Sequence, residues 1–209
     1  MTSDHPWEKI FSSDGRIFNE VLPLFHEAAH IFTKNRIHSI LDLGCGNGRH
    51  VVAFRRLGFN ATGFDISESG LRLTSEWLSE DRLAASLVLG DSRTGLPFSS
   101  ASFDGLISTQ VIHHATITEI QMTISEIYRV LENNGLALIT VAGKRHEDWL
   151  YKEIEPGTYI PLDGPEKGLP HHIFSEQELA RECKAFNVME ISQRDHGRVL
   201  AVWLRKTGI

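Results

Sequence analysis

Three acidic side chains and a run of glycines stand where short apolar stretches end, and their types suit gripping a polar ligand. Asp42-Leu43-Gly44-Cys45-Gly46-Asn47-Gly48 joins a strand-like run to a helical one. Glycine reaches positive φ easily and puts no Cβ in the path of an approaching molecule. The helix beyond offers free N–H groups and a positive dipole end, which favour an anionic group such as a carboxylate. Asp65 ends the next apolar run, a position that faces the crevice of an open α/β sheet and can accept a pair of hydroxyls. Asp91 ends the third run in Gly90-Asp91-Ser92. Asp42 either meets an amino group or braces the loop. Cys45 fits the loop by its small size, and a nucleophilic role is not expected of it.

A second group of side chains could act on a reacting partner. His113 and His114 follow the fourth run, and imidazole titrates near neutrality, which suits a base or an orienting group. His113 is the first choice for that base. Arg145, Trp149, Tyr151, Tyr159, His171 and His172 lie in or beside residues 144–173 and are candidates for lining an acceptor pocket. No metal is expected, because Cys45 and Cys183 have no CxxC or Cys/His partner at zinc spacing. Trp7 and Phe11 could cover a cation, but ordinary packing is the favoured reading. Arg49, Arg55 and Arg56 read as a solvated helix face.

The elements that must carry these groups alternate. Strands are expected at 39–43, 59–65, 86–90, 103–108 and 136–141, with helices at 47–57, 67–78 and 117–131 between them. That order is the signature of βαβ units and a parallel sheet. Ile117, Ile120, Ile124, Ile127 and Leu131 share one helical face. Ile17, Val21, Leu24, Ala28 and Ile31 predict a helix before the sheet, with Pro23 in its first turn. Residues 1–36 are read as a helical cap. Residues 144–173 hold four of the 7 prolines and read as an irregular lid. Ser175 and Glu178 form a capping box before a helix over 179–186. Two closing strands, 187–193 and 198–204, flank the turn signal Asp195-His196-Gly197. The fold class is α/β: a Rossmann-like doubly wound sheet of about seven strands, mostly parallel, with an antiparallel C-terminal hairpin strand. A single domain over 1–209 is expected.

Composition excludes several classes. With 41% apolar and 23% charged residues over 209 positions, the chain is neither disordered nor fibrous, and it is long enough to bury a core without staples. No apolar stretch could span a bilayer. Met1 to Phe11 has no apolar h-region, so no signal peptide and no membrane association are expected, and the chain reads as cytoplasmic. The net charge of −6 and the absence of a basic stripe weigh against a nucleic-acid partner. Oligomeric state is not legible.

The combination resembles the class I S-adenosylmethionine-dependent methyltransferases over about residues 37–143. "ILDLGCGNGRH" is similar to the family's first motif, "ATGFDIS" to its acidic second and "GDSRTGLPF" to its adenine region. "SFDGLISTQVIHH" resembles the fourth strand with its active-site loop, and "IYRVLENNGLALIT" the helix and strand beyond. Asn133-Asn134-Gly135 replaces the common Pro-Gly-Gly, a departure confined to a turn. The resemblance implies S-adenosylmethionine as cofactor, leaving as S-adenosylhomocysteine. Its implied contacts are Asp42, Gly44, Cys45, Gly46, Asp65, Ile66, Asp91, Ser92, Thr109 and Gln110. Among these, Gly44 and Gly46 would approach the methionine part and Asp65 the ribose. Asp91 with Ser92 would hold the adenine, and Thr109 and Gln110 would stand near the sulfonium.

The implied activity is methyl transfer to a small-molecule substrate, with His114, Arg145, Trp149, Tyr159, His171 and His172 on the acceptor side. A tRNA-modifying alternative rests on "DSRTGLPFSSASFDGLISTQVIHHATI" and "HHIFSEQEL", which also resemble the wobble-uridine carboxymethyl methyltransferases. There Arg145 or Arg198 would hold a carboxylate, and a partner subunit could supply basic surface. A third alternative is a non-catalytic cofactor-binding sensor. A NAD-binding domain would need the longer G-x-G-x-x-G spacing.

Overall fold

The computed structural model describes residues 5–208; residues 1–4 and 209 of the expected cap and domain lie outside them. Five strands alternate with helices: β1 (Ser39–Leu43), β2 (Asn60–Asp65), β3 (Ser86–Leu89), β4 (Phe103–Thr109) and β5 (Leu131–Ala142). Between them run α3 (Arg49–Arg56), α4 (Glu68–Glu80) and α5 (Ile117–Val130). Ahead of the sheet stand α1 (Pro6–Asp14) and α2 (Pro23–Lys34). Beyond it come β6 (Tyr151–Glu155), β7 (Thr158–Pro161), β8 (His171–His172), α6 (Glu176–Glu182), β9 (Asn187–Arg194) and β10 (Val199–Arg205).

The main sheet has seven strands in the order β3-β2-β1-β4-β5-β10-β9. β1 to β5 pair in parallel, and β10 runs antiparallel to both of its neighbours. This is the Rossmann-like sheet expected from the alternation. Successive side chains of a strand point to opposite faces, so Ile40 and Leu41, adjacent and both fully buried, feed different cores. One core joins Leu41, Leu43 and Leu106 to Ile120, Ile124 and Ile127 of α5 and Leu179 of α6. The other joins Ile40, Ile107 and Leu138 to Phe25 and Phe32 of α2 and Val51 and Phe54 of α3. Truncating Phe54 to alanine would cost about 3–5 kcal/mol.

Caps set the helix starts. Ser67 Oγ accepts the Gly70 N–H at α4 and Ser175 Oγ the Glu178 N–H at α6. Thr116 and Glu119 make a reciprocal box at α5, in which the Glu119 carboxylate receives the Thr116 N–H at 2.8 Å. α6 stops at Glu182, short of the expected Phe186.

Two expectations are corrected. The helix expected from Ile17 does not form: α2 begins at Pro23, and residues 15–22 bridge it to a separate helix, α1. Pro23 has no N–H, which suits it to a helix's opening turn and stops the helix from extending backwards. Residues 144–173 are not irregular throughout, because β6, β7 and β8 pair antiparallel in a second, three-stranded sheet. This small sheet is tied down by the His172 N–H donating to the His113 carbonyl at 2.8 Å and the Phe174 N–H to the Ala142 carbonyl at 2.9 Å. The Ile117 N–H adds a bond to Glu155 Oε1 at 2.7 Å. Among the described residues no helix is long and apolar enough to cross a membrane.

Candidate active site

The C-terminal ends of β1, β2 and β4 open onto a cavity of about 470 Å³, within the usual size of a small-molecule site. Its floor is the glycine loop. Gly44 has φ +78° and Gly46 φ +54°. A Cβ on Gly44 would enter the Val111 side chain, and one on Gly46 would come within 2.9 Å of the Phe11 ring. Backbone clearance, as well as backbone freedom, therefore requires glycine at both. Gly48, at φ +89°, starts α3 with no side-chain cap, leaving N–H groups to the loop side. Cys45 is buried because its sulfur packs on Gly63 of β2, where an added Cβ would lie 2.8 Å away. Burial pushes its thiol well up, away from nucleophilic use.

Asp65 is buried at the end of β2. Its carboxylate accepts the Gly46 N–H at 2.7 Å and the Ser67 N–H at 2.8 Å. Burial outweighs these bonds and lifts its pKa to about 6. Asp42 lies behind the loop rather than on the cavity wall, 1% exposed, with neither carboxylate oxygen hydrogen-bonded. Burial raises it to about 7, opposed by the guanidinium of Arg49. An orphaned buried carboxylate is costly, and from behind the loop Asp42 does not face a ligand in the cavity. Asp91 does face the cavity, but Arg93 already holds it through bonds of 2.7 to 3.1 Å. Ile66, Ser92, Thr109 and Gln110 complete that wall. Gln110 takes φ +59° and donates its N–H to Thr140, which turns the chain away from β4.

The N-terminal segment covers the loop. Trp7, Phe11 and Phe18 line the cavity, with Trp7 and Phe11 stacked at 5.8 Å between ring centroids. The weighed alternative for Trp7 and Phe11 is thus where the structure puts them, over the cavity. Glu8 holds α1 in place, its carboxylate accepting the Ser67 and Ser69 hydroxyls at 2.6 Å each. Burial alone would raise Glu8, but these bonds hold it below the usual carboxylate range. Asn47 clamps the strap from below, accepting the Phe18 N–H at 3.1 Å and donating to its carbonyl at 2.6 Å. His50, pressed by burial to about 3, accepts the Leu22 N–H at 3.3 Å.

Arg49 is also corrected. It is not solvated but lines the cavity, with its guanidinium 4.9 Å from the Phe18 ring centre. Arg55 and Arg56 serve structure, Arg55 bonding the Phe59 carbonyl and Arg56 pairing with Asp81. Asn47, Phe18, Arg93 and Glu166 escaped the sequence reading. Asn47 and Arg93 lie inside the motifs but were given no role there, whereas Phe18 and Glu166 belong to no motif and are brought in by the fold alone.

At the far end, His113, His114, Arg145 and His171 reach the cavity, whereas Trp149, Tyr159 and His172 stand behind it. Tyr159 carries the Arg145 guanidinium 4.5 Å above its ring centre, and Trp149 stacks on His146. His172 Nδ1 lies 2.7 Å from the Thr158 hydroxyl. Its Nε2 is 3.5 Å from Glu178 Oε1 but makes no hydrogen bond. His113 is buried with Nδ1 unpartnered. Burial and the neighbouring imidazoles push His113 well below its usual value and leave the ring neutral; burial does the same to His114, against an opposing pull from Glu166. Although the spacing in sequence shows no metal pattern, His113, His114 and His171 bring ring nitrogens within 4.8 Å of one another.

Residues 40–135 match the family described as a methyltransferase domain. The tRNA (carboxymethyluridine(34)-5-O)-methyltransferase of Arabidopsis thaliana is 34% identical over 114 residues, which are 52% of this chain and 25% of that protein. The chain thus spans a minor part of that curated relative. A crystal structure of a Pyrococcus horikoshii protein superposes with TM-score 0.76 at 17% identity, covering 95% of this chain and 99% of that one. The Burkholderia thailandensis 1,6-didemethyltoxoflavin-N1-methyltransferase, solved with 1,6-didemethyltoxoflavin and S-adenosylhomocysteine, gives 0.72 at 20% identity, covering 97% and 87%. The two structures support the fold, and the sequence matches the family. The cradle of glycines and the two acids on the cavity, Asp65 and Asp91, fit S-adenosylmethionine as cofactor. Residues 40–135 thus match a methyltransferase domain, and the fold around them is shared with a methyltransferase solved with S-adenosylhomocysteine.

Proposed function

We propose that the protein moves a methyl group from S-adenosylmethionine to a small anionic molecule held at the imidazole end of the cavity. One observation carries the reading: a single cavity runs from the glycine loop to His113, His171 and Arg145. S-adenosylmethionine supplies a methyl already activated on a sulfonium. The chain's task is therefore alignment, which can contribute about 7–11 kcal/mol in favourable cases. Gly44, Gly46 and Asp65 grip the donor, and Asp91, Ser92, Ile66, Thr109 and Gln110 frame it. Trp7, Phe11 and Phe18 present aromatic faces suited to a cation.

On the acceptor side Lys144, Arg145 and Arg198 are exposed at the rim and favour an anion. An acceptor that must lose a proton delivers it to His113, whose neutral ring has an unpartnered nitrogen. The open cavity weighs against a non-catalytic sensor. Residues 15–22 and 144–173 roof the same domain, and two unpaired, buried thiols suit a reducing cytoplasm.

The same basic rim and the 34% identity favour a second reading, a carboxylate on a tRNA base. Incubation with labelled-methyl cofactor and a metabolite extract, with and without RNase, separates the two. A labelled small molecule insensitive to RNase supports the first reading. Label lost on RNase treatment, with binding that falls steeply with salt, supports the second.

A further inference from the structure

We propose that His113, His114, His171 and Glu166 form a binding site for a divalent transition-metal ion of the zinc, cobalt, nickel or iron class, at the acceptor end of the cavity. Two separate segments build it. The loop after β4 supplies His113 and His114, and the roof supplies Glu166 and His171 of β8. The His172-to-His113 backbone bond of 2.8 Å locks the two segments together.

The roof carboxylate divides its two oxygens between two rings. Glu166 Oε2 is 3.0 Å from His171 Nε2, and Oε1 is 3.7 Å from His114 Nε2. Ligands of one tetrahedral ion at about 2.0–2.1 Å stand roughly 3.3 Å apart, so these spacings match a shared shell. The three ring nitrogens, within 4.8 Å of one another, need to close by about an ångström to join it. The ring centroids lie 4.1, 4.7 and 5.8 Å apart.

The outer contacts also fit. His171 Nδ1 lies 2.9 Å from the Leu169 carbonyl. Ligating imidazoles usually make that bond with the ring N–H, leaving Nε2 as the donor to the ion. With Nδ1 so used, Nε2 is left facing Glu166 Oε2 at 3.0 Å, on the side where an ion would be shared by the two. His113 Nδ1, buried without a partner, is a further donor short of a mate. Three imidazoles and one carboxylate select transition ions over magnesium or calcium, which take oxygen sets. Lys144, Arg145, His146 and Arg198, basic groups at this end, are exposed and would face an anionic acceptor resting on the ion. Such an ion would hold the acceptor atom and favour its deprotonation, taking over the part given above to the His113 ring.

Ion binding stands independently of methyl transfer, and its test needs no cofactor. Chelator-stripped protein is titrated with Co²⁺ and followed by visible absorption. The expected result is one Co²⁺ per chain with the intense bands of a four- or five-coordinate site, displaced by one Zn²⁺ and indifferent to millimolar Mg²⁺. Glu166→Gln, close in shape and expected to fold, weakens binding at least tenfold, as does His171→Ala. His30→Ala, on the exposed face of α2, changes nothing. Absence of saturable Co²⁺ uptake by the wild type would overturn the proposal. Stoichiometric uptake with the same spectrum in both ligand variants would also overturn it. S-adenosylhomocysteine binding, measured on the same stripped sample, reports separately on the cofactor end.

Discussion

The two ends of the cavity are built from opposite materials. The cofactor end uses backbone and carboxylates: glycines at positive φ, and Asp42, Asp65 and Asp91 at or beside strand ends. The acceptor end uses imidazoles and guanidinium groups carried by a loop and a second, small sheet. At the first end parallel strands place Asp42 and Asp65, and Arg93 holds Asp91. The second is assembled across segments distant in sequence, and a few main-chain bonds secure it. Under the proposed function, the sheet recognises the cofactor and the roof selects the acceptor.

Breaking the acceptor end should have the largest effect. His113→Ala is expected to slow turnover by about 10²–10⁴, the range for losing a general base, while leaving S-adenosylhomocysteine affinity within about twofold. Single-turnover rates and calorimetry on the same variant check it. Equal loss of affinity and rate would erase the division between the ends.

Asp65→Ala attacks the other end. Losing hydrogen bonds to a charged acceptor costs about 1.5–3 kcal/mol, roughly a ten- to hundredfold drop in cofactor affinity. Glu8→Ala tests the cover rather than the floor. Loss of its bonds to Ser67 and Ser69 should free α1 and weaken affinity severalfold, on the scale of about 1 kcal/mol. Faster proteolytic cleavage between α1 and α2 would accompany it.

Legibility in the sequence divides along the same line. The loop and Asp65 were readable because local constraints act within a few residues: glycine conformational freedom, strand ends and helix starts. The sheet order followed from β-branched runs alternating with helical faces such as Ile117, Ile120, Ile124 and Ile127. The roof was not readable. β6 and β7 are only 5 and 4 residues long, and β8 only 2, too short to show alternation among prolines and glycines. Their pairing is decided by tertiary bonds such as Glu155 to Ile117. Trp149 and Tyr159 looked like pocket aromatics, yet one packs on His146 and the other supports Arg145. Arg49 looked solvated because helical position alone cannot reveal a strap folding over it. Glu166 had no neighbouring motif to announce it.

The smallest effect concerns Asp42, buried without hydrogen bonds and raised from 3.8 to about 7. A folded-state pKa above the unfolded one means that the folded protein holds an extra proton between about pH 4 and 7. The stability this provides is complete below pH 4 and lost as pH rises through 7. Asp42→Asn should therefore melt higher than the wild type at pH 8 by a few degrees, at roughly 2–4 °C per kcal/mol for a chain this size, and converge with it at pH 4. Scanning calorimetry of the ligand-free protein at the two pH values reads the difference directly.

The most direct test is calorimetric titration of the wild-type protein with S-adenosylhomocysteine, alongside NAD. One equivalent should bind, Asp65→Ala should weaken it at least tenfold, and NAD should give no heat. No uptake of the sulfur nucleoside, or uptake untouched by Asp65→Ala, would contradict a cofactor site built on the glycine loop and β2.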